Sequence, residues 1–155
     1  MEVLAVLPDD APVPAPWKFA AVPALLITSA VRVIGRTAGR FSRLVRLSCC
    51  GRRLPPARHE QAVYAVRAVR WASSMVPARW SCLEQSAAAA LLLAATGRRA
   101  EWRHGVAADP VRLHAWIADQ EGRPVEEPAE TFLFTPIYTP DGPGASPRGS
   151  QGGIP

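Results

Sequence analysis

From Ser81 to Gly97 the chain reads Ser-Cys-Leu-Glu, then an alanine- and leucine-rich stretch, then a glycine. S-x-x-E before an apolar run is a capping box: Ser81 caps a helix start and Glu84 reaches back to it. Gly97 supplies the C-cap. The many alanines between allow neighbouring elements to approach closely, so this reads as a buried central helix packed against a sheet. Cys82 then stands at its first position, beside unpaired backbone N–H groups and the positive end of the helix dipole. That placement lowers a thiol pKa and can stabilise a developing oxyanion. A buried structural cysteine is the plain alternative.

The chemistry needs a base. Arg112 to Ala118 is the clearest strand, with Leu113, Ala115 and Ile117 alternating with His114, Trp116 and Ala118. His114 can meet Cys82 if its face of the strand packs on the cysteine helix. His59 reads as a surface residue, and His104 stays open. Asp119, Glu121, Glu126 and Glu127 are the acids available to orient the imidazole. Asp119 and Glu121 belong to a turn and read as solvated. Glu126 and Glu127 lie across the presumed hairpin, where alternation lets one of them face inward. Trp80 and Trp116 flank the two candidates as walls of a cleft or as core aromatics. No glycine-rich nucleotide loop, glycosidase carboxylate pair or metal cluster is visible, so neither cofactor nor metal is expected.

A chain of 155 residues is normally one domain. The expected organisation is a flexible N-terminus over 1–16, an apolar and basic helical region over 17–56, a core over 57–135 and a disordered tail over 136–155. Trp17 to about Leu47 reads as one long helix or two, with Pro23 a first-turn or kink residue. Arginines at 32, 36, 40, 43 and 46 draw one helical stripe, with Ile34, Ala38, Phe41 and Val45 on another side. Ala57 to Met75 is the next helix, with Ala62, Val66, Val69 and Ser73 facing the core. Ala100 to Ala107 could be a strand, Arg123 to Glu126 a returning strand, and Thr131 to Phe134 a further one. Helices first and strands later argue for an α+β fold: N-terminal helices and a central cysteine-bearing helix on a small antiparallel sheet.

The net charge is +5, with no acid between Val31 and His59. Anionic lipid or an acidic peptide would suit that segment. The stripe lacks the interleaved aromatics of a single-strand nucleic-acid binder, so no nucleic acid is expected. Three cysteines, without CxxC spacing, fit a reducing cytoplasm better than a disulfide scaffold. Phe19 to Ile34 is interrupted by Pro23, Thr28, Ser29 and Arg32 and falls short of the ~20 apolar residues of a spanning helix. It reads as neither signal peptide nor transmembrane segment, with an interfacial membrane contact still open.

Residues 57 to 128 resemble the lasso peptide biosynthesis B2 proteins, transglutaminase-like cysteine proteases of the papain-like kind. The resemblance rests on Ala68-Val69-Arg70, Cys82-Leu83-Glu84-Gln85-Ser86, Gly97, His114-Ala115-Trp116-Ile117 and Gly122-Arg123-Pro124-Val125. It implies a transglutaminase/papain-like core and a leader peptidase that cuts a ribosomally made precursor. In it Cys82 would be the nucleophile and His114 the proton shuttle. The acidic third residue would be Glu127 or its neighbour Glu126, with Glu127 favoured because the turn here is one residue longer than the usual pattern. Trp80, Trp116 and Gln85 would contact substrate. The implied partners are the precursor peptide, a separate leader-recognition (RRE-type) protein and an ATP-dependent lasso cyclase. A non-catalytic scaffold in the same maturation complex is the alternative.

Overall fold

The structure, a computed structural model, describes residues 12–34 and 37–144. Four helices precede a sheet: α1 (Ala15–Val33), α2 (Arg40–Ser48), α3 (His59–Ser74) and α4 (Cys82–Ala95). The strands are β1 (Glu101–Ala107), β2 (Arg112–Ala118), β3 (Thr135–Thr139) and β4 (Gly142–Pro143). They form one antiparallel sheet in the order β2-β1-β3-β4. This is the α+β arrangement expected, with the cysteine-bearing helix at its centre.

The capping box that marks α4 is made in full. The Ser81 backbone N–H donates to Glu84 Oε2 at 2.8 Å, and the Glu84 N–H donates to Ser81 Oγ at 3.3 Å. At the other end Gly97 takes φ +77°, and the N–H groups of Gly97 and Arg98 donate to Ala94 and Leu93. That is a Schellman close, which needs a residue free of the Cβ penalty at positive φ. Ala87, Ala88, Ala89 and Ala90 are all buried, and α1, α2, α3 and β2 all pack on this helix. On α3, Ala62, Val66, Val69 and Ser73 are buried as their spacing requires. Trp102 of β1 is fully buried and satisfies its indole by donating to Ser86 Oγ of α4 at 3.0 Å.

Several expectations change. Of the two readings of Trp17–Leu47 the two-helix one holds, but α1 begins at Ala15, so Pro23 lies inside it and not in its first turn. With the helix interrupted between Ile34 and Arg40, the apolar row breaks up: Val45 is buried, whereas Ile34 and Phe41 are exposed. The arginine stripe breaks up with it. Arg32 is paired with Glu84 at 2.8 Å, and Arg36 lies outside the described residues. Arg123–Glu126 returns along β2 only as a bridge between Ala118 and Pro124. Thr131–Phe134 is not a strand: Ala129–Leu133 is a 3-10 turn that leads into β3. Residues 136–143, expected in the tail, are largely strand. They are anchored by the buried Arg99, which meets Glu101 at 2.7 Å and Asp141 at 3.1 Å and donates to the Arg52 carbonyl. Residues 1–11 and 145–155, the outer parts of the two expected flexible ends, lie outside the described residues. No helix among the described residues is long and apolar enough to cross a membrane.

Candidate functional site

The sheet presents an edge, rather than a face, to the start of α4. In the β1–β2 register Trp102 opposes Ile117 and His104 opposes Ala115, while Arg103 opposes Trp116 and Gly105 opposes His114. Ala115 and Ile117 join the core with Trp102. Alternation therefore sends His114 and Trp116 to the side away from the helices. The expectation that the His114 face packs on α4 is corrected accordingly: the imidazole reaches Cys82 around β2, which is the edge strand. The backbone N–H groups of Ala115 on the strand and Leu83 in the helix's first turn favour the thiolate form of the sulfur.

The outer side of β2 is closed at one end only. The Val125 N–H donates to the Ile117 carbonyl at 2.8 Å, and the Asp119 N–H donates to the Arg123 carbonyl at 2.9 Å. Asp119 is buried, not solvated. It accepts from the N–H groups of Glu121 and Arg123, so it builds this turn. At Glu126 the backbone takes φ +56° and leaves the strand path. Glu126 then accepts from Arg67 Nε at 2.9 Å and Nη2 at 3.1 Å. Glu127 arrives beside His114, with Oε2 at 2.9 Å from Nε2 and Oε1 accepting from Arg70 Nη2 at 3.2 Å. With Nε2 on Glu127, Nδ1 is the ring nitrogen left for the sulfur. Of the two carboxylates carried from the sequence, Glu127 meets the imidazole and Glu126 does not.

Electrostatics follow the contacts. The hydrogen bond with His114 holds the Cys82 thiol below its ordinary pKa, against the opposing effect of burial, and the two backbone N–H groups add to it. His114 is raised to about 9, first by the Cys82 hydrogen bond and then by Glu127. Both shifts run toward the charged pair, thiolate and imidazolium. A sulfur in that state is a nucleophile, and an imidazolium beside it is a proton donor.

A cavity of about 110 Å³ is bounded by Cys82, His114, Glu127, Gln85, Arg70 and Val66. A wider cleft of about 410 Å³ lies beyond the imidazole, between Leu113, Pro128 and Phe134. His114 and Glu127 line both, so they form the wall between them. Gln85 faces the smaller cavity and donates to Ser73 Oγ at 3.2 Å. The two tryptophans are elsewhere. Trp116 is buried behind His114, its ring stacked at 5.8 Å and 14°, and it backs the imidazole instead of walling the cavity. Trp80 lines a separate cleft on the other side of Ser81 and Leu83. His104 is a core histidine, stacked on Trp102 and lowered in pKa by burial. His59 meets Asp119 at 3.3 Å.

Sequence reasoning assigned no role to Arg67, Arg70, Gly105 or Phe134. Arg67 and Arg70 are one helical turn apart on α3, a spacing that does flag a shared face. Nothing local ties that face to acids 57 and 59 residues away. Gly105 lets Trp116 lie flat over β1, since a Cβ there would sit 2.7 Å from the ring and 2.7 Å from the Thr135 carbonyl. Phe134 packs against both His114 and Trp116. Among the described residues no group of three or more His, Cys, Asp or Glu is placed to hold a metal ion.

No curated protein and no solved structure matches the chain. A family model described as the transglutaminase-like superfamily matches residues 25–139, which takes in α2, α3, α4 and the sheet as far as β3. The resemblance to lasso peptide B2 proteins falls within that family. A half-buried cysteine at a helix start, against a histidine on an edge strand, thus stands within the matched segment of a chain that belongs to the transglutaminase-like superfamily.

Proposed function

We propose that the protein is a cysteine peptidase that removes the leader peptide from a ribosomally made lasso peptide precursor. The observation that carries this reading is that Cys82, His114 and Glu127 line one cavity, with Glu127 hydrogen-bonded to the imidazole. Cys82 Sγ attacks the scissile carbonyl carbon, and the C–N bond breaks as His114 gives its proton to the leaving amine. That amine is the new terminus of the core peptide, free for a separate ATP-dependent cyclase to join to a side-chain carboxylate. Water, deprotonated by His114, then hydrolyses the thioester and returns the thiolate–imidazolium pair. N–H groups of the first turn of α4 would donate to the developing oxyanion. Glu127 keeps the imidazole oriented through Nε2. Gln85, on the wall of the same cavity, would touch substrate.

In this reading the protein works with its precursor peptide and with a separate leader-recognition protein. The test is digestion of a precursor encoded beside the gene, or of a mixed peptide library, with products read by mass spectrometry. Wild-type protein yields new amino termini, and a folded Cys82→Ala variant yields none. Unchanged processing by that variant overturns the peptidase and favours a scaffold that only presents the leader.

A further inference from the structure

On the side of α4 away from His114 lies a second cleft, of about 470 Å³, lined by Arg32, Arg40, Arg79, Trp80, Glu84 and apolar Leu44. Its charges are unbalanced. Glu84 is buried and already committed to the Ser81 N–H and to Arg32. No acid stands against Arg40 or Arg79 among the described residues. Two donors on its walls are idle: Arg40 Nε and the indole Nε1 of Trp80 are buried without a hydrogen-bond partner. Buried donors without acceptors cost free energy, and an anion would satisfy both them and the excess charge. Ser81 and Leu83, on either side of Cys82 in the chain, also line this cleft.

We propose that this cleft is a subsite for an acidic peptide side chain, aspartate or glutamate, of a substrate lying across the first turn of α4. The substrate part of this rests on the peptidase reading. The guanidinium groups of Arg40 and Arg79 and the Trp80 indole would hold the carboxylate, and Leu44 and Phe41 would take its methylenes. Both of its idle donors are buried, which suits a single side chain better than the headgroups of a flat membrane. Trp80 therefore donates to the carboxylate apart from the cavity at Cys82.

The test separates the subsite from the peptidase. The indole N–H resonance of Trp80, identified by its loss in Trp80→Phe, is followed in 15N-labelled Cys82→Ala protein, which cannot turn over substrate. Titration with the amide of N-acetylglutamate should move it saturably, and the glutamine analogue should not. In Arg40→Gln/Arg79→Gln the affinity should fall about tenfold or more. The other indole resonances report whether that variant is folded, and Arg79→Gln alone, at an exposed position, serves if it is not. The subsite is overturned by no saturable shift, by an equal response to glutamine, or by an unchanged response in the folded variant. It is also overturned if vesicles containing phosphatidylglycerol, and not the glutamate probe, perturb Trp80. Wild-type protein should then cut a peptide library with Asp or Glu enriched at one position from the scissile bond, a preference the arginine variants lose. Cleavage without that preference sinks the subsite and spares the peptidase. Binding at Trp80 with no cleavage of any peptide sinks the peptidase and leaves the acidic-side-chain site standing.

Discussion

His114 Nε2 stands 2.9 Å from Glu127 Oε2, while the adjacent Glu126 is held by Arg67 through two hydrogen bonds. The left-handed backbone at Glu126 is what parts them. It takes the chain off the strand path, so two consecutive carboxylates reach different partners.

Replacing these carboxylates should therefore give unlike results. Glu127→Gln leaves the imidazole without its charged partner and should lower kcat by about 10²-fold or more. Glu126→Gln loses a charge-assisted pair with Arg67 and should cost about 2 kcal/mol in urea denaturation while kcat stays near wild type. Equal, small effects on both quantities would remove Glu127 from its assigned role.

The thiol should be reactive at a pH where ordinary cysteines are not. Cys82 is held down chiefly by the His114 hydrogen bond, whereas burial pushes Cys49 and Cys50 up. Alkylation by iodoacetamide, followed by peptide mapping, should label Cys82 first as pH rises. His114→Ala removes the leading cause and should bring Cys82 back toward ordinary behaviour. Peptide cleavage should fall above about pH 9, where His114 loses the proton it must donate. Identical labelling profiles for all three cysteines would contradict the thiolate–imidazolium pair.

Gly105→Ala should act on the site from the neighbouring strand. Its Cβ would meet the Thr135 carbonyl and the Trp116 ring at 2.7 Å, and backbone cannot yield as a side-chain tip can. Trp116 must shift, and His114 is stacked on it. The expected cost is about 2 kcal/mol, with a loss of activity beyond what unfolding explains. A variant as stable and as active as wild type would show that the packing is not tight there.

Truncation at residue 135 should destabilise the whole protein. It removes most of β3 and all of β4, and deprives the buried Arg99 of Asp141. Arg99 keeps Glu101 but loses its charge-assisted pair with Asp141, worth about 2 kcal/mol. Asp141→Asn in the full chain should lose part of that stability, read as a lower urea midpoint with unchanged slope. No loss in either protein would mean that the sheet is complete without these strands.

Local rules were enough to define α4 from the sequence, because its cap, its close and its alanine face are set by residues within a turn or two of each other. The alternation of β2 and the burial face of α3 were legible for the same reason. The C-terminal strands were not. Prolines and glycines after Thr135 read as a tail, and what makes them sheet is pairing with β1, fastened by an ion pair to Arg99, 42 residues away.

The candidate site divides along the same line. Residue types and spacing nominated Cys82, His114 and the Glu126–Glu127 pair, since a helix start and a strand are both local patterns. Only the tertiary structure put Glu127 against the imidazole and Glu126 against Arg67, brought the imidazole to the sulfur around the edge of β2, and moved Trp80 and Trp116 away from the cavity. Those outcomes depend on strand order, on one left-handed residue and on two arginines of α3. Contacts between segments distant in the chain are decided when the elements pack, and no period within any one element encodes them.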